Sequence, residues 1–583
     1  MTEPLRRSLL MGGLCLLSVL LCSAATARER LALHHEPIDL PGLPSAVVSG
    51  DVDGDGIRDL VVVVAYTEWD RIGISERSEM AGIDGWVEMM TVIPALLDRR
   101  ELWVFPGAPT GGYEAASEPL PIDASVLSLE AGEDGSPVIA LTDEGVSSVE
   151  YNPETGEIGL EPLLEVRSLL SGSETFLPNL GLLEDVDADG FPDLLVPTWE
   201  GADVYPGGAD GFGKTPSAHL VYPRPEDERP TGRLRRNTIP ELRDVSGDGL
   251  PDVLLPVSSE WRKFHLFLGA GGGSFAEPMT PLEEAEEIEE TQEMDLAEAE
   301  GQESDDEEAD ADDEEGDDDE EDAEEEREPG PPEIVYFGDL DGDGLAEFVR
   351  EEELDDEDAG FRKEMKEAKR PPRRYWLHRT DSDFRPMPEP YTKFDSTGYA
   401  FGSSSDIPLP GGFQDLDGDG LQDLVTMTLD FSLFQAVRIV ALKSIRIGLD
   451  FHIWCQRADG GFKAVEGLDL SGKLRLNLEN LRFGQLSQFA GDFDGDGRAD
   501  FVQIGRGKTV TIHRGQEGCV YPAKADLSLA LETAPQDLAL VQVRDFDGDG
   551  LSDLLIIQPG DPASREETPP SRLDFYLSSE VSR

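Results

Sequence analysis

Aspartates recur along this chain at a spacing that gathers oxygen atoms. The pattern Asp-x-Asp-x-Asp-Gly-x-x-Asp begins at seven places, and an apolar run follows each time. Positions one, three, five and nine are Asp51, Asp53, Asp55 and Asp59 in the first copy, and Asp185, Asp187, Asp189 and Asp193 in the second. The third copy has Asp244, Ser246, Asp248 and Asp252; the fourth has Asp339, Asp341, Asp343 and Glu347. The last three are Asp415, Asp417, Asp419 and Asp423; Asp492, Asp494, Asp496 and Asp500; and Asp545, Asp547, Asp549 and Asp553. One copy would be a weak signal, whereas seven exceed what chance supplies.

Carboxylates at alternate positions of a tight loop point inward, and glycine at position six permits the sharp turn. The carbonyl of position seven and the acid at position nine complete a shell. Hard oxygen ligands at this density suit Ca²⁺, here up to seven ions, whereas Mg²⁺ prefers few protein ligands and retained waters. Without a cation, four carboxylates within nine residues repel one another. Ser246 and Glu347 mark two weaker copies. An EF-hand would need glutamate at position twelve, where this chain has Val62, Val196, Leu255, Arg350, Thr426, Gln503 and Ile556. The runs that follow, such as DLVVVV and DLLII, are β-branched and read as strands, so the loops join strands.

A further strand ending in a glycine-rich turn recurs after each apolar run, as in LWVFPGAPTGGY from Leu102 and FHLFLGAGGGSF from Phe264. About four short strands per unit match a propeller blade and predict an all-β fold. A degenerate copy around Glu130 to Leu141 lacks the acids and predicts a blade without metal. Eight blades are therefore expected, with seven as the alternative if that copy is an insertion. The stretch LALHHEPIDL near the N-terminus is similar to YEAASEPLPI from Tyr113, and the last unit lacks an outer strand. The N-terminal strand is expected to complete that blade and close the ring.

The units resemble FG-GAP/VCBS repeats, as found in integrin α-chain heads and secreted bacterial proteins. The resemblance covers nearly all of residues 30 to 580 and rests on the metal-loop motif. It implies a β-propeller with Ca²⁺ between the first two strands of a blade, and adhesion or ligand binding in place of catalysis.

Arg6 and Arg7, the apolar run Leu9 to Leu21 and Ala25-Thr26-Ala27 read as a signal peptide over residues 1–27, leaving a propeller over 28–583. The run is short for a span of ~20 residues, and bulky Leu20-Leu21 argue against a lipid on Cys22. No later stretch is apolar enough to cross a bilayer. Export to the periplasm, cell surface or medium follows. A formal charge of −75 argues against nucleic acid and anionic membranes as partners. Cys455 and Cys519 remain in the mature chain; a bridge is allowed, and two buried thiols are the preferred reading.

In a propeller, the connections from strand two to three and from four to the next one lie opposite the metal loops. Thr67 to Arg100, Arg350 to Arg374, Tyr391 to Pro410 and Leu429 to Leu449 read as insertions on that face. Such insertions on a rigid scaffold suit recognition of a protein or glycan. Trp86, Met89 and Met90 add apolar surface there. Glu283 to Glu328 holds 30 acids and one arginine in 46 residues, without an aromatic, and is expected to be disordered. A basic cluster of Arg362, Lys363, Lys366, Lys369, Arg370, Arg373 and Arg374 is its candidate internal partner. His265, His378, His452 and His513 recur at similar places, which points to packing. No HExxH, GxSxG or zinc-type CxxC pair is present, so no enzyme is expected. The alternative is a carbohydrate-active enzyme, such as a polysaccharide lyase, on a propeller.

Overall fold

The structure is a computed structural model. It describes residues 30–66, 99–122, 126–132, 137–142, 145–166, 181–198, 201–209, 211–221, 241–256, 264–279, 333–354, 370–382, 384–400, 411–430, 444–467, 470–477, 482–484, 487–504, 508–535, 540–560 and 570–581. The expected signal peptide, the acidic segment, and Trp86, Met89 and Met90 lie outside the described residues.

Strands make up the regular structure of the described residues, in eight blade-like sheets with antiparallel neighbours. Blade 1 runs Leu43–Gly50, Asp59–Tyr66, Arg99–Phe105 and Leu120–Ile122. Blade 2 runs Val126–Glu130, Ile139–Thr142, Val146–Asn152 and Glu157–Leu164. Blade 3 runs Leu183–Glu184, Asp193–Pro197, Gly201–Tyr205 and Ala218–Val221. Blade 4 has Glu241–Arg243, Asp252–Pro256 and Phe264–Phe267, followed by the small hairpin Gly269–Gly271 and Ser274–Phe275. Blade 5 runs Glu333–Gly338, Glu347–Glu353, Pro372–Arg379 and Thr392–Thr397. Blade 6 begins Gly412–Gln414, Asp423–Asp430 and the long Ser444–Gln456, against which both Phe462–Ala464 and Ser471–Asn477 pair. Blade 7 runs Ser487–Phe489, Phe501–Ile504, Thr509–His513 and Leu527–Ala530.

Blade 8 joins the two ends of the described chain. Val541–Arg544, Asp553–Gln558 and Ser571–Val581 are followed in the sheet by Arg30–Leu40. That N-terminal strand pairs antiparallel with the last one from Arg30↔Val581 to Leu40↔Ser571.

The second strands of blades 1, 3, 4 and 8 are apolar on both faces beyond their opening acid, because both faces are covered, whereas that of blade 5 turns charged after Val349. In blade 1, Leu60, Val62 and Val64 pack towards blade 8 with Leu555, Ile557 and Phe575. Val61 and Val63 point the other way, to Val126, Leu129 and Ala140 of blade 2. Alternate residues thus feed two seams, as the period of two requires. Equivalent seams join blades 2, 3 and 4, then 4 and 5, 5 and 6, 6 and 7, and 7 and 8.

Three expectations need correction. Strand Glu347–Glu353 runs into the segment read as an insertion from Arg350, and Pro372–Arg379 begins inside it, leaving only residues 355–369 undescribed. The segment from Tyr391 contains the outer strand Thr392–Thr397, and that from Leu429 contains the start of Ser444–Gln456. Charge hid the blade 5 strands: Arg373 pairs with Glu351 at 2.9 Å, and Arg374 with Asp395 at 2.7 Å. These two arginines are therefore engaged within their own sheet, while Arg362, Lys363, Lys366 and Lys369 lie outside the described residues. The third correction is that Cys455 and Cys519 form a disulfide, not two thiols. Cys455 follows the core of a blade 6 strand and Cys519 sits in a turn of blade 7. The blade seam brings their Cα atoms to 5.9 Å, within bridging range.

Candidate metal centres

Each metal-type loop connects the first and second strands of its blade: all except blade 2 carry one. One hydrogen-bond scheme builds all seven. The position-one carboxylate accepts the backbone N–H of the position-six glycine at 2.6–3.2 Å, from Gly56 to Asp51 through to Gly550 to Asp545. The position-five carboxylate accepts the N–H of position seven at 2.8–3.2 Å. These aspartate turns fold the backbone locally, which is why the spacing alone revealed them.

Position two is apolar and buried in every copy: Val52, Val186, Val245, Leu340, Leu416, Phe493 and Phe546. It anchors the loop to the blade. Position nine is the buried acid, from 0 to 1% exposed in all seven copies. Its carboxylate accepts the position-two N–H, as in Val52 to Asp59 at 2.9 Å and Leu340 to Glu347 at 2.9 Å. In six copies its other oxygen takes an N–H from the third strand or just beyond it. The donors are Gly107, Gly207, Gly269, Gln456, Gly515 and Ser578, at 2.6–2.9 Å. The acid thus staples the loop to the sheet as well as facing its other carboxylates. Sequence reasoning gave it only the second role, because its partners lie 14 to 48 residues downstream.

The acids converge. Asp51, Asp53 and Asp59 each place an oxygen within 4.8 Å of the others, as do Asp185, Asp187 and Asp193. Asp339, Asp341 and Glu347 do the same, and so do Asp415, Asp417 and Asp423. Burial pushes the position-nine carboxyls up, with neighbouring acids adding to it: Asp59 and Asp193 to about 6, Asp423, Asp500 and Asp553 to about 7, Glu347 to about 8. Burial likewise raises Asp547 to about 6.

Position three supplies a direct test of fit. Asp187, Asp341, Asp417 and Asp494 each hold a buried Oδ1 without a hydrogen-bond partner. A buried anionic oxygen left without a donor is costly, and an oxygen-seeking cation satisfies it. The donor set is all oxygen, which fits Ca²⁺. In blade 2 the register pairs Glu130 with Ile139, so an apolar, fully buried side chain stands where the other blades have the position-nine acid; residues 133–136 lie outside the described residues.

Consecutive loops also touch. The position-eight N–H of one loop donates to the preceding loop: Ala346 to Val245, Gln422 to Leu340, and Ala499 to Leu416, at 2.9–3.1 Å. Ser552 donates to Asp492 at 2.7 Å, and Arg58 reaches the Asp545 carbonyl at 3.0 Å. Position four explains the glycine there: at Gly247, φ is +71° and a Cβ would lie 2.4 Å from the Gly344 carbonyl oxygen. Blade 3 has Ala188 at this position, with φ of 60°.

The four recurrent histidines fall at two registers: His265 and His452 face position twelve, the other two position ten. His378 and His513, each facing position ten, are buried and bond through Nδ1 to the carbonyls of Met387 and Pro522 at 2.7 Å.

No family model matches the sequence, and no curated protein matches it. Among solved structures, the chain is similar to an Agrocybe aegerita lectin that recognises non-reducing terminal N-acetylglucosamine. The identity is 12% and the TM-score 0.32, over 84% of this chain and 81% of that one. It is also similar to a putative 6-phosphogluconolactonase from Bacteroides uniformis, with 11% identity and a TM-score of 0.29, over 75% and 93% of the two chains.

Proposed function

We propose that this chain is an exported propeller of the FG-GAP/VCBS type, whose loops bind Ca²⁺ and whose ring serves as a rigid binding or adhesion scaffold for protein or surface glycan. The observation that carries the metal reading is the set of buried, unpartnered position-three oxygens facing acids within 4.8 Å. Asp51, Asp53, Asp55 and Asp59, and their counterparts in six further blades, would hold the ions. Bound Ca²⁺ would neutralise the converging carboxylates and fix the loops. The eleven-residue pairing of Arg30–Leu40 with the last strand supports closure of the ring by the N-terminal strand. The disulfide supports an oxidising compartment, in keeping with the signal-like N-terminus.

The scaffold reading, as against an enzyme, rests on the acids of the seven motifs, which serve loops and staples; other described acids, such as Glu351, Asp395 and Asp574, pair with arginines of their own sheets. The ligand surface is assigned to the face opposite the loops, where the connections are longest. The test of the metal reading is a calcium titration of the chain from Arg28 onwards, with melting followed in excess Ca²⁺ and in chelator. Each independent site adds ~2.7 kcal/mol at about 100 times its dissociation constant. Equal melting temperatures in the two conditions would refute it. Protein and glycan arrays probed with and without Ca²⁺ test the scaffold reading; the absence of binding on every array would count against it.

A further inference from the structure

The seven loops look alike in sequence, yet the sheet register sets beside each one a residue that differs. Position ten pairs with Phe105, Tyr205, Phe267, His378, Trp454, His513 or Tyr576. The next residue of that third strand therefore faces position nine. It is Pro106, Pro206, Leu268, Arg379, Cys455, Arg514 or Leu577 in blades 1, 3, 4, 5, 6, 7 and 8.

In blades 5 and 7 this residue is an arginine whose guanidinium enters the loop. Arg379 reaches Oδ2 of Asp341 at 2.5 Å, Oδ2 of Asp343 at 2.7 Å and Oε1 of Glu347 at 3.7 Å. The Tyr391 ring, 4.9 Å from the guanidinium carbon, supports it from the other side. Arg514 pairs with Oδ2 of Asp494, also at position three, and lies 3.7 Å from Oδ1 of Asp526. Arg498 adds a second guanidinium to that loop, on Asp496 at 2.6 Å. Among the described residues, no Lys or Arg side chain pairs with Asp53, Asp187 or Asp417. Among the described residues Glu347 takes no third-strand N–H like that found in the other six copies, and Arg379, one residue before the donor's position, lies 3.7 Å from its Oε1.

We infer that the residue facing position nine sets each loop's demand for metal: Arg379 and Arg514 act as built-in cations, so the blade 5 and blade 7 loops bind Ca²⁺ more weakly than those of blades 1, 3 and 6. This deepens, and rests on, the reading of the loops as calcium sites. A guanidinium on the position-three carboxylate satisfies one of its oxygens and repels a divalent ion approaching the other. The two blades then keep their loops folded when calcium is scarce, while the remainder depend on it.

The test uses the chain from Arg28 onwards, with Ca²⁺ alone as probe, and counts bound ions by calorimetric titration and native mass spectrometry. The wild type is expected to show a tight class and a class at least tenfold weaker. Arg379→Leu and Arg514→Leu each move one ion from the weak to the tight class; Pro206→Arg, which puts a guanidinium beside Asp187, moves one the other way. Unchanged classes in all three variants would overturn the inference. Arg379→Lys, which keeps the charge, is expected to stay wild-type and controls for folding. A wild type that binds no Ca²⁺ sinks the calcium reading alone. The arginines then answer to melting in chelator, where Arg379→Leu is expected to melt below both wild type and Arg379→Lys. Melting of all three at one temperature would overturn the built-in cation.

Discussion

Asp417→Ala and Ser246→Ala remove position-three side chains from two copies of one loop, and their costs are expected to differ sharply. Asp417 matters through both of its oxygens, one bound and one bare. Its Oδ2 accepts the Gly518 N–H at 2.6 Å, from a turn of the next blade, and its Oδ1 is buried without a partner. The lost hydrogen bond to a charged acceptor costs ~1.5–3 kcal/mol. Loss of a cation site held at about 100 times its dissociation constant adds ~2.7 kcal/mol. Asp417→Ala is therefore expected to cost about 5 kcal/mol in calcium. In chelator the metal part disappears, and relief of repulsion from Asp415, Asp419 and Asp423 offsets some of the rest, leaving about 2 kcal/mol or less. Ser246 makes one long contact, Oγ to Asp244 Oδ1 at 3.5 Å, so its removal is expected to cost no more than ~0.5 kcal/mol in either condition. Urea unfolding of both variants and the wild type, each with Ca²⁺ and with chelator, measures all four differences. A larger loss for Ser246→Ala, or a loss for Asp417→Ala that is the same with and without calcium, would refute the reasoning.

Replacing Cys455 and Cys519 together by serine releases a crosslink spanning 64 residues and is expected to cost about 4 kcal/mol on the chain-entropy model, read as a lower urea midpoint. Deletion of Glu283 to Glu328 is expected to leave melting and its calcium dependence unchanged; loss of calcium-dependent folding in that variant would make the segment structural. Burial holds the His378 imidazole below its ordinary value of 6.5, with Arg350 adding to the shift and the Met387 carbonyl opposing it. The folded ring stays neutral while the unfolded chain takes up a proton, so stability is full above pH 6.5 and falls as pH drops below it. His378→Gln is expected to flatten that fall in a pH series of urea midpoints, and a slope identical to wild type would exclude His378 as its source.

The loops were legible because their chemistry is local: nine residues carry the aspartates, the turn glycine and the start of the next strand. Apolar runs such as DLVVVV announced second strands, and the missing acids around Glu130 to Leu141 announced a blade without a metal loop. What escaped depends on register between distant segments. The position-nine staple needs N–H groups from the third strand, and the disulfide needs two blades side by side. Strand Thr392–Thr397, sequence TKFDST, has too little apolar alternation to be read as a strand; Asp395 within it is matched by Arg374 across the sheet. One signal for the arginines was present. Both follow a buried histidine at the same register, in the dipeptides His378-Arg379 and His513-Arg514, and the recurrence of the histidine drew the reading away from its neighbour.

The loops do more than hold charge, because they lie edge to edge along one face. Position eight of blade 5 donates to blade 4, blade 6 to blade 5, and blade 7 to blade 6, while blade 8 and Arg58 of blade 1 extend the series. A carboxylate left unneutralised in one loop therefore strains two blades: its own, through the position-nine staple, and its neighbour, through that shared hydrogen bond. The apolar seams run between the same pairs of blades, so a cation at a loop and the seam beneath it stabilise one junction together. On this argument the arginine-bearing loops are well placed. Blades 5 and 7 flank blade 6, whose Asp415 loop has no described arginine but is tied to blade 7 by Asp417 to Gly518 and by the disulfide. The arc from blade 5 to blade 7 is thereby held by two guanidinium groups and one covalent bond. Among the described residues the blade 3 loop has neither, whereas blade 1 has Arg58 on blade 8, so the blade 3 loop is where withdrawal of a cation should first open the fold.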